Sequence, residues 1–264
     1  MKPCPDNFFR DSIKKNKMMK NYNLGFISDS DIYAHVKETV EQYRTVIDLH
    51  DFNKNVVDPV KLTFDAKVYG MSFEDVIQSE CVRQIDKTNT NKIGYFHQNL
   101  FRYASENGWE VPVQGFDVQN NQEHIYVELK NKHNTMNSAS SQKTYMKMQS
   151  KILEDDQATC MLVEIIANKS QNIKWTVSVD GRSYSHERIR RVSIDKFYEI
   201  VFEDRLAFMK LCKALPYILD DVLEEMQKGY IQSSVYTELC DLSTDTFKSL
   251  YLLAFRTYEG FDEF

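Results

Sequence analysis

Long apolar runs are absent from this chain of 264 residues, and none reaches the roughly 18 residues that a membrane helix needs, so no membrane span is expected. The opening stretch, MKPCPDNFFRDSIKKNKMMK, has no apolar segment of the kind a secretory signal carries, and it reads as a surface arm. Proline and glycine are few, at five and eight, and no repeat, low-complexity tract or linker divides the chain. Cysteine is scarce and odd in number. Cys4, Cys81, Cys160, Cys212 and Cys240 stand too far apart for a disulfide framework or a clustered zinc site. They predict reduced, mostly buried thiols in a cytoplasmic protein. No Gly-x-Ser-x-Gly string is found, which argues against an esterase-type serine nucleophile.

What is present suits a packed domain. Apolar residues make up 42% of the chain, and its length fits one large domain. The net charge of −6 is unevenly spread. Lys130, Lys132, Lys143, Lys147 and Lys151, then Lys169, Lys174, Arg182, Arg188, Arg190 and Arg191, make the middle basic, whereas the stretch from Asp220 onward is acidic. A local basic surface is all that phosphate contacts require, so the global charge does not exclude nucleic acid.

Periodicity gives the order of elements. Ile32, Val36, Val40, Tyr43 and Ile47 predict a helix over Ser30–Ile47. Phe73, Val76, Ile77 and Cys81 predict another over Ser72–Lys87, and Ile93, Phe96, Leu100 and Phe101 a third over Asn91–Glu106, closed by Asn107-Gly108. Trp109–Val113 and Gly115–Val118 read as extended, Gln119–Glu123 as a turn, and His124–Lys130 as an alternating strand. After a polar loop, Ser141–Leu153 is helical. Ala158–Ala167 is an apolar run that suits a strand buried on both faces, and Lys174–Val179 is a further strand. Beyond Ser193 the pattern is helical, with Pro216 as a kink or break. A strand, a helix and a buried strand in succession imply a parallel pair with a right-handed crossover. The expectation is an α/β fold: a mixed sheet flanked by helices, with a mainly helical part over 1–90, a core over 91–180 and a helical part over 181–264.

One constellation in that core carries chemistry. Glu128 and Lys130 are two apart on a strand and must share a face, and a short hairpin brings Asp117 beside them. Two carboxylates, with the Leu129 carbonyl as a further ligand, form an oxygen set that suits Mg²⁺. Such an ion neutralises charge on a phosphate and lowers the pKa of a nearby water, while Lys130 can orient or deprotonate the nucleophile. The bare spacing is common by chance, so the surrounding order of elements carries the weight. Gln98, on the preceding helix, either reaches the metal through water or simply faces solvent. Glu80 reads as a solvated helix acid, Glu164 as one half of a structural salt bridge, and His97 and His133 as ordinary helix and loop histidines. Directly after the strand, Lys132, His133, Asn134, Thr135 and Asn137, with Lys143 beyond, supply groups that suit phosphates and base edges. Arg182, His186, Arg188, Arg190 and Arg191 form a second basic stretch, fit either for bidentate reading of guanine or for phosphate contacts alone.

The run Gly115-Phe116-Asp117, followed by Val127-Glu128-Leu129-Lys130-Asn131-Lys132-His133-Asn134-Thr135-Met136-Asn137, resembles the type II restriction endonucleases that recognise GGNCC (the Eco47II-like group) in the PD-(D/E)XK superfamily. Leu62–Gly70 and Ile85–Gln98 share the resemblance, which spans roughly residues 30 to 225. It implies a Mg²⁺-dependent homodimer that cuts both strands of double-stranded DNA at a palindromic site, with a cognate methyltransferase protecting that site. It assigns the metal and catalytic roles to Asp117, Glu128 and Lys130. Phe116 stands where the superfamily expects proline. Gln98 stands where it often has an acid, a departure that bears on the number of metal ions. The GGNCC specificity rests on the resemblance alone. The competing readings are a repair-type nuclease without sequence specificity and a non-catalytic DNA-binding module whose acids only form salt bridges.

Overall fold

The computed structural model describes residues 21–179, 181–226 and 232–255. The amino-terminal arm and Cys4 lie outside that range. The chain opens with α1 (Asp29–Gln42), where Ser28 Oγ accepts from Asp31 N at 3.1 Å and caps the first turn. This helix stops short of the expected Ile47. The side chain of Asn89 takes both backbone groups of Arg44, accepting from its N at 2.8 Å and donating to its carbonyl at 3.0 Å. The chain therefore leaves helical geometry, and β1 (Val46–Ile47) pairs parallel with β8 (Gln232–Ser233).

Two short helices follow: α2 (Leu49–Lys54) and α3 (Pro59–Tyr69). The latter has an Asp58 cap, Pro59 in its first turn and Gly70 at φ 65° after its end. The two helices expected next are one, α4 (Phe73–Leu100), finished by a 3₁₀ segment over Phe101–Asn107. The polar stretch Thr88–Asn91 does not break it, because Asn89 is held by Arg44 and Thr88 Oγ1 donates back to the Gln84 carbonyl at 3.0 Å.

The sheet comprises β2 (Trp109–Glu110), β3 (Val118–Asn120), β4 (Ile125–Lys132), β5 (Thr159–Ile166), β6 (Asn172–Val179) and β7 (Arg182–Ser193), in the order β2-β3-β4-β5-β7-β6. The β2–β3, β3–β4 and β6–β7 pairs are antiparallel, and β4–β5 and β5–β7 are parallel. The crossover from β4 to β5 is α5 (Ser138–Glu154), as the sequence order implied. The stretch 182–193, counted with a helical part at sequence level, is a long strand of the sheet. Helices resume with α6 (Ile194–Phe202), α7 (Ala207–Met226), α8 (Val235–Leu242) and α9 (Thr246–Phe255), and Pro216 does not split α7.

Three apolar clusters organise these elements. One face of the sheet, through Val127, Met161, Val163 and Val192, packs on α1, the end of α4, α6 and α7. The other face, through Tyr126, Cys160, Leu162 and Ile189, packs on Tyr145 and Met148 of α5. A third cluster joins α2, α3, the first half of α4, α8 and α9. The fold is thus the mixed sheet between helices that the sequence predicted. Cys81 and Cys160 are buried, but Cys212 is exposed and Cys240 half-buried, so burial of the thiols was over-expected. Among the described residues no helix is long and apolar enough to cross a membrane.

An apolar groove of about 680 Å³ lies between α1, α4 and α7, lined by Val40, Phe96, His97, Leu211, Leu215 and Leu219 among others. His97 is 9% exposed and its Nδ1 has no hydrogen-bond partner. Burial, with a smaller contribution from His35, pushes its pKa down to about 4. The unfolded chain takes up this proton near pH 6.5. The associated stability is therefore whole above pH 6.5 and is lost as pH falls toward 4, amounting to about 3 kcal/mol. Urea unfolding from pH 7.5 to 4 should show that acid limb in the wild type, and His97→Phe should flatten it. An unchanged slope would mean that other groups dominate.

Candidate active site

Tyr126 of β4 packs toward α5, so the alternation of the strand sends Glu128 and Lys130 to the same side. Leu129 points the other way, into the cluster beneath. Asp117 does not end a strand, as the sequence suggested, but immediately precedes β3. The register pairs Val118 with Val127, and continuing it by one residue sets Asp117 across from Glu128. Three hydrogen bonds fix Asp117. Its N donates to the Val127 carbonyl at 2.9 Å, its carbonyl accepts from Gln98 Nε2 at 3.0 Å, and its Oδ2 accepts from Leu129 N at 2.7 Å.

Glu128 is 9% exposed, so its charge needs partners. Two ammonium groups supply them. Lys147 of α5 bonds to Glu128 Oε1, and Lys130 Nζ lies 3.7 Å from Oε2. Lys147 also donates to the Gly115 carbonyl at 2.7 Å. The sequence counted Lys147 only as part of a basic segment. Its place four residues after Lys143 on a crossover helix was the available signal. Beside this group, burial pushes the Cys160 thiol up to about 12, so it offers no thiolate.

The side candidates sort themselves. Gln98 faces the site rather than solvent. Glu80 is buried, not solvated: it accepts from Arg83 Nε at 2.6 Å and from Gln84 Nε2 at 3.0 Å. Glu164 is 1% exposed and paired as expected, accepting from Arg191 Nε at 2.9 Å and from its Nη2 at 2.5 Å. Arg191 is thus engaged by a buried acid, and its Nη2 also donates to the His133 carbonyl at 3.1 Å. Arg190 bonds the side chain and carbonyl of Asn172 at 3.0 and 2.7 Å, and Arg188 the Asp156 carbonyl. Arg182 is exposed and His186 half-buried. Lys132, Asn134, Thr135, Asn137 and Lys143 are exposed, whereas His133 is half-buried and its N donates to the Ile166 carbonyl at 3.0 Å. Asn137 Oδ1 caps α5 by accepting from Ser140 N at 2.9 Å.

Asp48, His50 and Asp51 also converge, in and beside α2, but Arg44 and Lys54 already bond Asp51 at 2.7 and 3.0 Å. Removing one half of the Glu164–Arg191 pair leaves a buried charge. Arg191→Ala should cost about 3–5 kcal/mol in urea unfolding. Replacing both residues, as Glu164→Gln with Arg191→Met, should recover much of the loss. If Arg191→Ala unfolds like the wild type, the arginine is a surface group after all.

The family model described as the Eco47II restriction endonuclease matches residues 24–224. The chain is 34% identical over 218 residues to the type II restriction enzyme Sau96I of Staphylococcus aureus, covering 78% of this chain and 83% of that protein. It is 28% identical over 222 residues to the type II restriction enzyme Eco47II of Escherichia coli, covering 78% of this chain and 92% of that one. With the matched span holding the whole sheet and the acids set on it, the chain belongs to the Eco47II restriction endonuclease family and is a type II site-specific deoxyribonuclease.

Proposed function

We propose that Asp117, Glu128 and the Leu129 carbonyl hold Mg²⁺, and that Lys130 manages the proton of the water that attacks a DNA phosphodiester. The observation that carries this reading is the tie from Asp117 Oδ2 to Leu129 N, which fixes the first acid beside the strand that bears Glu128 and Lys130. The donor set fits a hard cation. It is all oxygen, and each acid keeps one oxygen out of the hydrogen bonds described, Oδ1 of Asp117 and Oε2 of Glu128. The N–H and C=O of one strand residue leave on the same side, so the Leu129 carbonyl faces the space that Asp117 occupies. When bound, the ion neutralises charge on the scissile phosphate and lowers the pKa of adjacent water.

The protein's own groups do the rest. Lys130, partly exposed beside Glu128, orients the nucleophile and accepts or relays its proton. Gln98 holds the Asp117 carbonyl and so sets the acid's backbone. Lys132, Asn134, Thr135, Asn137 and Lys143 present donors to DNA beside the strand, with Arg182 and His186 on the neighbouring hairpin and Arg188 and Arg190 as phosphate contacts. His133 and Arg191 shape the loop from within.

The duplex is the substrate class of this family. The finer reading is a homodimer that acts in the cytoplasm, as one endonuclease domain per chain, on a palindrome of the GGNCC type. A cognate methyltransferase would act on the same site. Family membership and similarity to two type II enzymes over most of the chain support it.

Phage DNA incubated with the purified protein and Mg²⁺ should yield discrete fragments whose sequenced ends share one short palindrome. A smear would point to a nuclease without sequence specificity. Asp117→Ala should lower cleavage by more than the roughly 10–100-fold typical of residues behind a metal ligand, with DNA binding still measurable. Cleavage at the wild-type rate by that variant would remove the site assignment.

A further inference from the structure

The helix α5 crosses over the sheet face from which Glu128 and Lys130 project. Lys143, Lys147 and Lys151 stand four residues apart and share one flank of it. They do different things. Lys143 is exposed, and Lys151 Nζ sits 4.4 Å over the Tyr126 ring and 3.8 Å from Glu154. Of the three, Lys147 is the one that bonds Glu128.

Its ammonium has three neighbours. It bonds Glu128 Oε1, donates to the Gly115 carbonyl at 2.7 Å and lies 4.4 Å over the Phe116 ring. Gly115 and Phe116 directly precede Asp117. A single cation therefore spans the segment that carries the first acid and the side chain of the second. That segment needs the support. Asp117 itself is bonded to β4, but no strand pairing holds residues 111–116 between β2 and that point, and Gly115 has φ 99°, a conformation that a side-chain-bearing residue rarely adopts.

Resting on the site assignment above, we propose that Lys147 is a positioning residue that sets the geometry of the cation site. It engages Oε1 of Glu128, so that one oxygen, Oε2, is presented to the metal and to Lys130. It also draws the Gly115–Asp117 turn onto β4, which fixes the separation of the two carboxylates. A positive group so near the ion would weaken cation binding by repulsion alone. The proposal therefore makes a signed claim: the loss of order outweighs the relief of repulsion.

The test is calorimetric titration of Mn²⁺ into the full-length protein without DNA, alongside Mg²⁺-dependent cleavage. Lys147→Met should weaken Mn²⁺ binding by about tenfold. It should lower kcat for DNA cleavage with little change in KM, and Lys147→Arg should fall between it and the wild type. Lys151→Met, one turn along the same helix, should bind Mn²⁺ like the wild type. Unchanged or tighter Mn²⁺ binding by Lys147→Met overturns the proposal, as does a defect in KM alone, which would make Lys147 a DNA contact. If Lys147→Met melts below the assay temperature, Lys147→Arg decides: reduced affinity and kcat in that variant support the positioning role, and wild-type values overturn it. Asp117→Ala separates the two levels. Lost Mn²⁺ binding there with intact binding in Lys147→Met sinks the positioning role alone. Intact binding in Asp117→Ala sinks the site assignment itself.

Discussion

A backbone N–H that outlives its strand partner organises this site. The ladder between β3 and β4 begins at Val118 and Val127, and β4 continues beyond it to Lys132. Leu129 N would then face an open edge, and a buried N–H without an acceptor is costly. Asp117 Oδ2 fills that place at 2.7 Å. The first acid is therefore held by the same need that holds a sheet together. Everything else at the centre builds on it: Gln98 secures the Asp117 carbonyl from the end of α4, and Lys147 reaches across from α5. Side chains fixed by three separate elements of regular structure keep a geometry that a loop alone would not.

A second interaction fixes the neighbouring loop. Glu164 on β5 stands in register with Lys130 and is buried. Its guanidinium partner, Arg191 on β7, also bonds the His133 carbonyl, while His133 N continues the pairing onto Ile166. A buried ion pair is a weak source of stability relative to apolar packing, so its contribution here is geometric. It pins the root of the loop over residues 133–137 and leaves Asn134 and Thr135, like Lys132 at the end of β4, exposed. The orphaned Glu164 Oε2 marks the same strain between burial and charge.

How much of this could be read from the sequence depended on whether the deciding contact was local. The alternation of Tyr126, Glu128 and Lys130 fixed their shared face, and the crossover helix followed from the order of elements. Asp117 was found, but the strand beside it was read over Gly115–Val118 instead of Val118–Asn120, because β3 is only three residues long and its polar Gln119 and Asn120 look like a turn. Strand β7 was missed for a non-local reason. Its inward Arg191 is matched by Glu164, 27 positions earlier, so no apolar alternation remains to be seen. The apparent break at Thr88–Asn91 failed in the same way, since the partner of Asn89 is Arg44. Helix α3, by contrast, carried local signals in Asp58, Pro59 and Gly70 that went unread. Lys147 was invisible as an individual because only the crossover geometry tells it apart from Lys143 and Lys151.

The same geometry resolves the mismatch between an acidic chain and an anionic substrate. The net charge is −6, yet charge acts on DNA through its distribution. The two faces of the sheet carry different charged groups. On one side lies α5, with Lys143, Lys147 and Lys151, together with Lys132 at the end of β4. On the other side packs α7, whose buried Asp221 is bonded by Tyr22 at 2.8 Å and whose exposed Glu225 is bonded by Lys37 at 2.8 Å. Those carboxylates tie α7 to α1 and to the chain leading into it. They add to the net charge without facing the surface that carries Glu128 and Lys130. If the face bearing Glu128 and Lys130 is the one that meets DNA, as proposed, its attraction to phosphate is salt-sensitive and set by the local cations, and the total over both faces is no measure of it.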